Sequence, residues 1–101
     1  MGTSKRYADK VDRMMDERIA TRIAATGKLQ SLEPVELDLE HCQLTIDPAG
    51  VPVTAWVRFG DVPLHVTGRA MRWTNSAVGI AFEVDGHEHR CWVWSGAVQR
   101  A

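Results

Sequence analysis

The sequence predicts an α+β fold in which an N-terminal amphipathic helix packs on a small antiparallel β-barrel or strongly bent sheet of four or five strands. Near the N-terminus, apolar residues recur every three to four positions, whereas after Val51 they alternate with polar residues. Tight-turn residues separate the alternating runs. A chain of 101 residues that is 45% apolar suits one domain, so residues 1–101 are expected to share a single core.

Residues 4–26 are predicted to form the helix. Ser4 is a suitable N-cap, and Gly27 is suited to end the helix in the left-handed conformation. Charged pairs on the helix surface stabilise it by only about 0.2–0.5 kcal/mol each, so we expect it to depend on burial of an apolar stripe. The stripe comprises Tyr7, Val11, Met14, Met15, Ile19 and Ile23.

Residues 27–50 are interpreted as a mixed connection. Pro34 is suited to open a short helical turn through Leu39, whereas the alternation of apolar residues in the same stretch equally suits a strand, and both interpretations stay open. A brief strand at residues 43–46 is predicted to end in a turn at residues 47–50, which read Asp-Pro-Ala-Gly.

Residues 51–101 are predicted to form the β-barrel. The chain is expected to turn at Gly60-Asp61, at residues 74–76 and at Asp85-Gly86, because these residue types favour tight hairpins. Gly68 is interpreted as a bulge or sharp bend in a long second strand. The predicted inner face comprises Val53, Ala55, Val57, Leu64, Val66, Val78, Ile80, Phe82 and Val93.

This series of short strands, closed by residues 95–98, resembles small SH3-like barrels in architecture. That resemblance implies no function, since such barrels serve peptides, nucleic acids and structural roles alike. The stretch from Gly68 to Phe82 also resembles the later strands of PilZ domains, the receptors for cyclic di-GMP. The Asp/Asn-x-Ser-x-x-Gly motif of that family is one residue out of register at residues 75–79, and its Arg-x-x-x-Arg motif is not in place, so no nucleotide site is predicted from it.

Three further stretches resemble short actinobacterial hypothetical proteins that have no assigned role. They are the opening Lys-Arg-Tyr-Ala-Asp at residues 5–9, the strand around Trp56, and Trp92-Val93-Trp94 followed by Ala97-Val98. The resemblance covers nearly the whole chain. It implies no activity, cofactor or functional residue.

Charge and composition narrow the possible partners and the compartment. The formal net charge of −1 excludes the whole-chain basic field that is typical of nucleic-acid binders, although a local basic face stays possible. No apolar run has the length of a membrane span or a secretory signal, so we expect a cytoplasmic protein that does not bind membranes. Cys42 and Cys91 are expected to be free thiols, as is usual in a reducing compartment.

An outward-facing set of tryptophans and arginines is the candidate interaction face. Tryptophan and arginine are enriched at binding hot spots, and they also stack and neutralise single-stranded nucleic acid. The apolar stripe of the helix is an alternative cover for these rings, because large exposed apolar patches are uncommon. The candidate residues are Trp56, Arg58, Arg69, Trp73, Arg90, Trp92 and Trp94.

These observations predict a non-catalytic binding or adaptor module without a cofactor, whose partner is another protein or a second copy of the chain. One alternative is a nucleic-acid-binding accessory protein that uses its surface arginines. Another is a small metal-dependent enzyme on the strand that carries His87, His89 and Cys91, although their spacing is not that of a known zinc motif. The arginines of the first alternative are Arg58, Arg69, Arg72 and Arg90.

Overall fold

A computed structural model of the protein describes residues 17–101. Residues 17–24 are helical and are called α1 here. The elements that follow are α2 (Pro34–Leu37), β1 (Thr45–Phe59), β2 (Val62–Trp73), β3 (Ala77–Val84), β4 (His87–Trp94), a 3₁₀ turn (Ser95–Ala97) and β5 (Val98–Arg100).

The strands form one antiparallel sheet in the order β4-β3-β2-β1-β5. The predicted α+β class and the antiparallel sheet of four or five strands are therefore confirmed. Of the two predicted forms, a barrel or a strongly bent sheet, the closed barrel is wrong. After the 3₁₀ turn the chain has only three strand residues left, and these pair with β1 at Val53–Ala55, so among residues 17–101 no strand joins β5 to β4.

Residues 28–32, called the crossing segment here, connect the β1 side of the sheet to β4. The carbonyl of Lys28 accepts a hydrogen bond from the N–H of Gly60 at 2.7 Å, and the N–H of Gln30 donates to the carbonyl of Arg58 at 2.8 Å. Two residues later the N–H of Leu32 donates to the carbonyl of Trp92 on β4 at 2.9 Å. The crossing segment, which is not itself a strand, thus spans the gap between β1 and β4 where the sheet is not closed.

The hairpin turns are confirmed where the sequence predicted them. Gly60 has a φ of 60°, and Asp85 and Gly86 have φ angles of 53° and 76°. Positive φ at both central residues is the requirement of a type I′ hairpin, which explains the Asp-Gly pair between β3 and β4.

The predicted turn at residues 47–50 is wrong, because β1 runs through it as a single strand with a register shift against β2 between Ile46 and Val51. The Asp47 carboxylate accepts hydrogen bonds from the N–H groups of Ala49 (3.0 Å) and Gly50 (3.3 Å). This local bonding satisfies backbone donors that are out of register with β2, so the turn-forming residues make an irregularity within the strand.

The predicted bulge at Gly68 is also misplaced. Gly68 pairs regularly with β1 and β3, and a Cβ atom there would collide with the carbonyl oxygen of Ala81, so glycine is needed for close approach of β3. The irregularity lies at Met71, between the paired residues Ala70 and Arg72. The extra residue reverses the alternation, and Trp73 consequently pairs with Val78 and packs against the core.

The interior is an apolar cluster on one face of the sheet. Ile80 on β3 is 2% exposed and lies beside Phe82 in the same cluster. The remaining members are Val53, Ala55, Val57, Phe59, Leu64, Val66, Ala70, Val78, Val84 and Cys91. All the predicted inner-face residues from Val53 to Phe82 are buried here, and Val93 packs against them.

Helix α1 packs against this interior. Ala20, Ile23 and Ala24 contact the cluster. Ile19, which was predicted to belong to the same buried apolar stripe as Ile23, is 43% exposed. The rest of the predicted helix, residues 4–16 with Tyr7, Val11, Met14 and Met15 of the stripe, lies outside the described residues.

Gly27 does not adopt the predicted left-handed conformation; it permits a close backbone approach, since a Cβ atom there would lie 2.9 Å from Cα of Gly60.

In the mixed connection, residues 27–50, the helical interpretation is the observed one. Glu33 and Glu36 form a capping box at the start of α2, with proline in its first turn.

Candidate functional site: an aromatic groove beside the crossing segment

The outward face of β1 contributes two side chains to the candidate site. Strand alternation that buries Val57 and Phe59 turns Trp56 and Arg58 outward. Trp56 is 54% exposed, and its indole packs on His65 of β2 with the ring centroids 4.8 Å apart. The indole is therefore held on one side and open to solvent on the other.

A groove of about 480 Å³ lies where β1 approaches β4. Its aromatic wall is made of Trp56 from β1 with Trp92 and Trp94 from β4, and Trp94 is itself 46% exposed. The lining is completed by Gln30, Ser31, Leu32, Glu36, Val57, Arg58, Pro63, Val93 and Ala97.

The crossing segment fixes the β4 side of this groove. The Ser31 hydroxyl oxygen accepts a hydrogen bond from the N–H of Trp92 at 2.9 Å, and Leu32 bonds to the carbonyl of the same residue. Both main-chain groups of Trp92 are thus occupied, which limits movement of the strand that carries two of the three indoles.

One cationic and one anionic side chain line the groove. Arg58 donates from Nη1 to the carbonyl of Asp61 at 3.3 Å, and the Oε1 atom of Glu36 accepts from the N–H of Glu33 at 3.0 Å. Each charge is tied to the backbone by one hydrogen bond and keeps further bonding capacity for a ligand.

The seven residues of the predicted interaction face are divided among three places. Trp56, Arg58, Trp92 and Trp94 line the groove. Trp73, predicted to face outward, instead packs against the core and lines a separate cavity beside His41 and Cys42.

Arg69 and Arg90 lie elsewhere on the outward face, on opposite sides of Ala81. Nη1 of Arg69 donates to the carbonyl of Ala49 at 2.9 Å, so its guanidinium is held near the irregular part of β1.

On the strand considered for metal-dependent chemistry, His89 and Cys91 point toward the inner face, whereas His87 at its start is exposed. His89 stacks on Phe82 with centroids 5.4 Å apart and meets Phe59 edge to face at 5.5 Å. Burial raises the pKa of the Cys91 thiol to about 11, which disfavours the thiolate that would bind metal. Within residues 17–101, no group of three or more His, Cys, Asp or Glu side chains is placed to hold a metal ion.

Sequence reasoning missed the contribution of residues 30–36 to the groove. Their role depends on hydrogen bonds to β1 and β4, and Ser31 bonds to a residue 61 positions away. No local pattern signals such a contact. Pro63 on β2 also lines the groove beside the indoles, and the sequence predicts no role for it.

Comparison of the chain with protein-family models, curated proteins and solved structures found no match. As for membrane spans, neither described helix is long and apolar enough to cross a bilayer.

Proposed function

We propose that the protein is a small non-catalytic binding module whose aromatic groove takes an extended, proline-containing peptide segment of a partner protein. The observation that carries this proposal is the convergence of Trp56, Trp92 and Trp94 with Arg58 on one open groove. Tryptophan and arginine are the residue types that contribute most to binding hot spots.

The chemistry of the groove favours an extended apolar peptide as the ligand. Indole faces pack well against proline and aliphatic side chains, and indole N–H groups donate to peptide carbonyls. Because Arg58 and Glu36 both line the groove, a peptide with charged residues flanking its apolar part would bind in one preferred direction.

An SH3-like arrangement in open form is part of this proposal, and what supports it is the pairing of β5, after the 3₁₀ turn, back onto β1. A cytoplasmic location is also part of it. Cys42 and Cys91 are both free, as is usual in a reducing compartment.

Selection of random displayed peptides on the full chain tests the proposal. We expect enriched peptides to contain proline or aliphatic residues and to shift the NMR signals of the three groove indoles. Trp56→Ala and Trp94→Ala should each weaken binding of the selected peptide about 30-fold or more, the loss that a hot-spot residue of 2 kcal/mol produces.

Ile46→Ala is the matched control, since Ile46 is a 62% exposed apolar residue that does not line the groove. It should leave the affinity within about twofold, as expected for a residue outside the interface. Equal losses in Ile46→Ala and Trp56→Ala would contradict the assignment of the groove. A selected peptide that perturbs only signals elsewhere would do the same. Sedimentation of the free protein distinguishes a foreign partner from a second copy of the chain.

A further inference from the structure

The outward face of β3 forms the floor of a second, basic site. Of its outward residues Ala77, Gly79, Ala81 and Glu83, the last is exposed and the first three are small. Although they face away from the interior, Ala77 is 0% and Ala81 8% exposed. Long side chains of the flanking strands β2 and β4 therefore cover them and line a shallow trough along β3.

Arg72 and Trp92 meet above Gly79. Gly79 pairs with Arg72 on one side and with Trp92 on the other. A Cβ atom at Gly79 would lie 2.8 Å from Cγ of Arg72 and 3.3 Å from Cε2 of Trp92. The absence of a side chain there lets the arginine stem and the indole edge approach each other across β3.

Beside this contact is a cavity of about 190 Å³, lined by Arg72, Arg90, Ser31 and Trp92 with Gly79. The remaining lining residues are Met71, Ile80 and Cys91. The Ser31 hydroxyl oxygen already accepts the N–H of Trp92, so its own proton is available for donation to a ligand. Two guanidinium groups, a hydroxyl and an indole thus border one small cavity.

The cavity is locally positive in a chain whose formal net charge is −1. None of its lining residues is acidic. Nε of Arg90 pairs with Oε2 of Glu88 at 3.3 Å, but both side chains are more than half exposed, and such surface pairs are weak. An anionic ligand can therefore compete for this guanidinium.

We propose that this cavity binds a phosphodiester group of single-stranded nucleic acid, with the adjacent base stacked on Trp92. Guanidinium groups match phosphate oxygens in charge and geometry, and bases stack on aromatic side chains without regard to sequence. The cavity shares Ser31 and Trp92 with the peptide groove, whereas Arg72 and Arg90 do not line that groove and therefore report on this cavity alone.

Fluorescence anisotropy of a labelled single-stranded oligonucleotide, titrated with the full chain at several salt concentrations, tests this site. We expect binding that falls steeply with salt and quenches indole fluorescence. Arg72→Ala and Arg90→Ala should each weaken binding about tenfold and lower the slope of log affinity against log salt by about 0.7, the value for one phosphate contact on a single strand. Thermal melting checks that both variants are folded.

Arg100→Ala is the charge-matched control, because Arg100 is an exposed arginine on β5 outside the cavity. It should change the affinity by less than about twofold if binding is local to the site. The proposal is overturned if Arg100→Ala weakens binding as much as Arg72→Ala. Absence of binding at low salt or tighter binding of a duplex of the same sequence also overturns it. If a free nucleoside monophosphate binds equally well, the assignment of the ligand as a nucleic-acid strand is overturned.

Discussion

Gly27 and Gly60 meet backbone to backbone, at the point where the chain leaves α1 and passes the hairpin between β1 and β2. A Cβ atom on Gly27 would lie 2.9 Å from both Cα and N of Gly60, and the same N–H donates to Lys28 at 2.7 Å. The position of the crossing segment therefore depends on two glycines that are far apart in the sequence.

Gly27→Ala should destabilise the protein by about 1–3 kcal/mol, the usual cost of forcing extra volume into a packed contact. Chemical denaturation measures the loss. Gly96→Ala is the control, since a Cβ atom at Gly96 meets nothing within 4 Å. Its effect should stay within about 0.5 kcal/mol. Equal stability of the two variants would show that the Gly27–Gly60 contact does not form.

Ile23 and Ile19 offer a matched pair on α1. Ile23 packs against the core, whereas Ile19 is 43% exposed. Ile23→Asp should cost at least about 2 kcal/mol more than Ile19→Asp, because a carboxylate in an apolar contact loses hydration without a compensating partner. Both changes carry a similar intrinsic helix-propensity penalty, and an Asp in the last turn of α1 adds only about 0.3–1 kcal/mol through the helix dipole, so the remaining difference reports docking. Coincident thermal melting curves would indicate that α1 is undocked.

The two cysteines should react with thiol reagents at very different rates. Burial raises the pKa of Cys91 from 9.0 to about 11, and the half-buried Cys42 is the more accessible thiol. In the native protein at mildly alkaline pH we expect one fast thiol, which Cys42→Ser removes. Denaturant should release the second. Fast native labelling of the Cys42→Ser variant would contradict the buried position of Cys91.

The same pKa shift predicts a pH dependence of stability. Because the folded pKa of Cys91 lies above the unfolded value, the native state binds more protons between pH 9 and pH 11. The contribution of Cys91 to stability is complete below this window and is lost as the pH rises through it. Cys91→Ala should reduce the alkaline slope of the unfolding free energy, and an unchanged slope would refute the assignment.

Chelation should leave the melting temperature of the protein unchanged. His89 packs against Phe82 and Phe59, and the thiol of Cys91 is held protonated, so the strand offers poor metal ligands. Calorimetry with and without a strong chelator measures this. Stoichiometric zinc in purified, untagged protein, together with a melting temperature lowered by the chelator, would instead support the metal-dependent enzyme.

The parts of the fold that depend on local chemistry could be predicted from the sequence. The Asp85-Gly86 hairpin follows from the need for positive φ, and the buried face of β1 follows from its alternation of apolar and polar residues. The predicted outward position of Trp73 is wrong, because the two-residue alternation of inward and outward side chains is reversed beyond an irregularity in the strand. The extra residue at Met71 is set by the pairing of β2 with β3.

The candidate groove could be predicted in part, because the alternation of inward and outward residues holds on β1 and β4. Trp56, Trp92 and Trp94 were expected to face outward, since each lies one residue away from an apolar inward residue on its strand. Their convergence depends on the curvature of the sheet and on hydrogen bonds from Ser31 and Leu32, which join residues remote in sequence. Such long-range contacts leave no periodic signal.

The crossing segment also interrupts the free edge of β4 at Trp92. The free edge of β4 would present unpaired backbone groups that can template another strand, and proteins usually cover or interrupt such edges. Here Ser31 and Leu32 occupy the main chain of Trp92 at that edge without continuing as a strand of their own. A chain shortened to begin after residue 32 would lose these bonds together with the packing of α1 and Leu29 on the core, and intermolecular sheet formation and aggregation are the expected consequence.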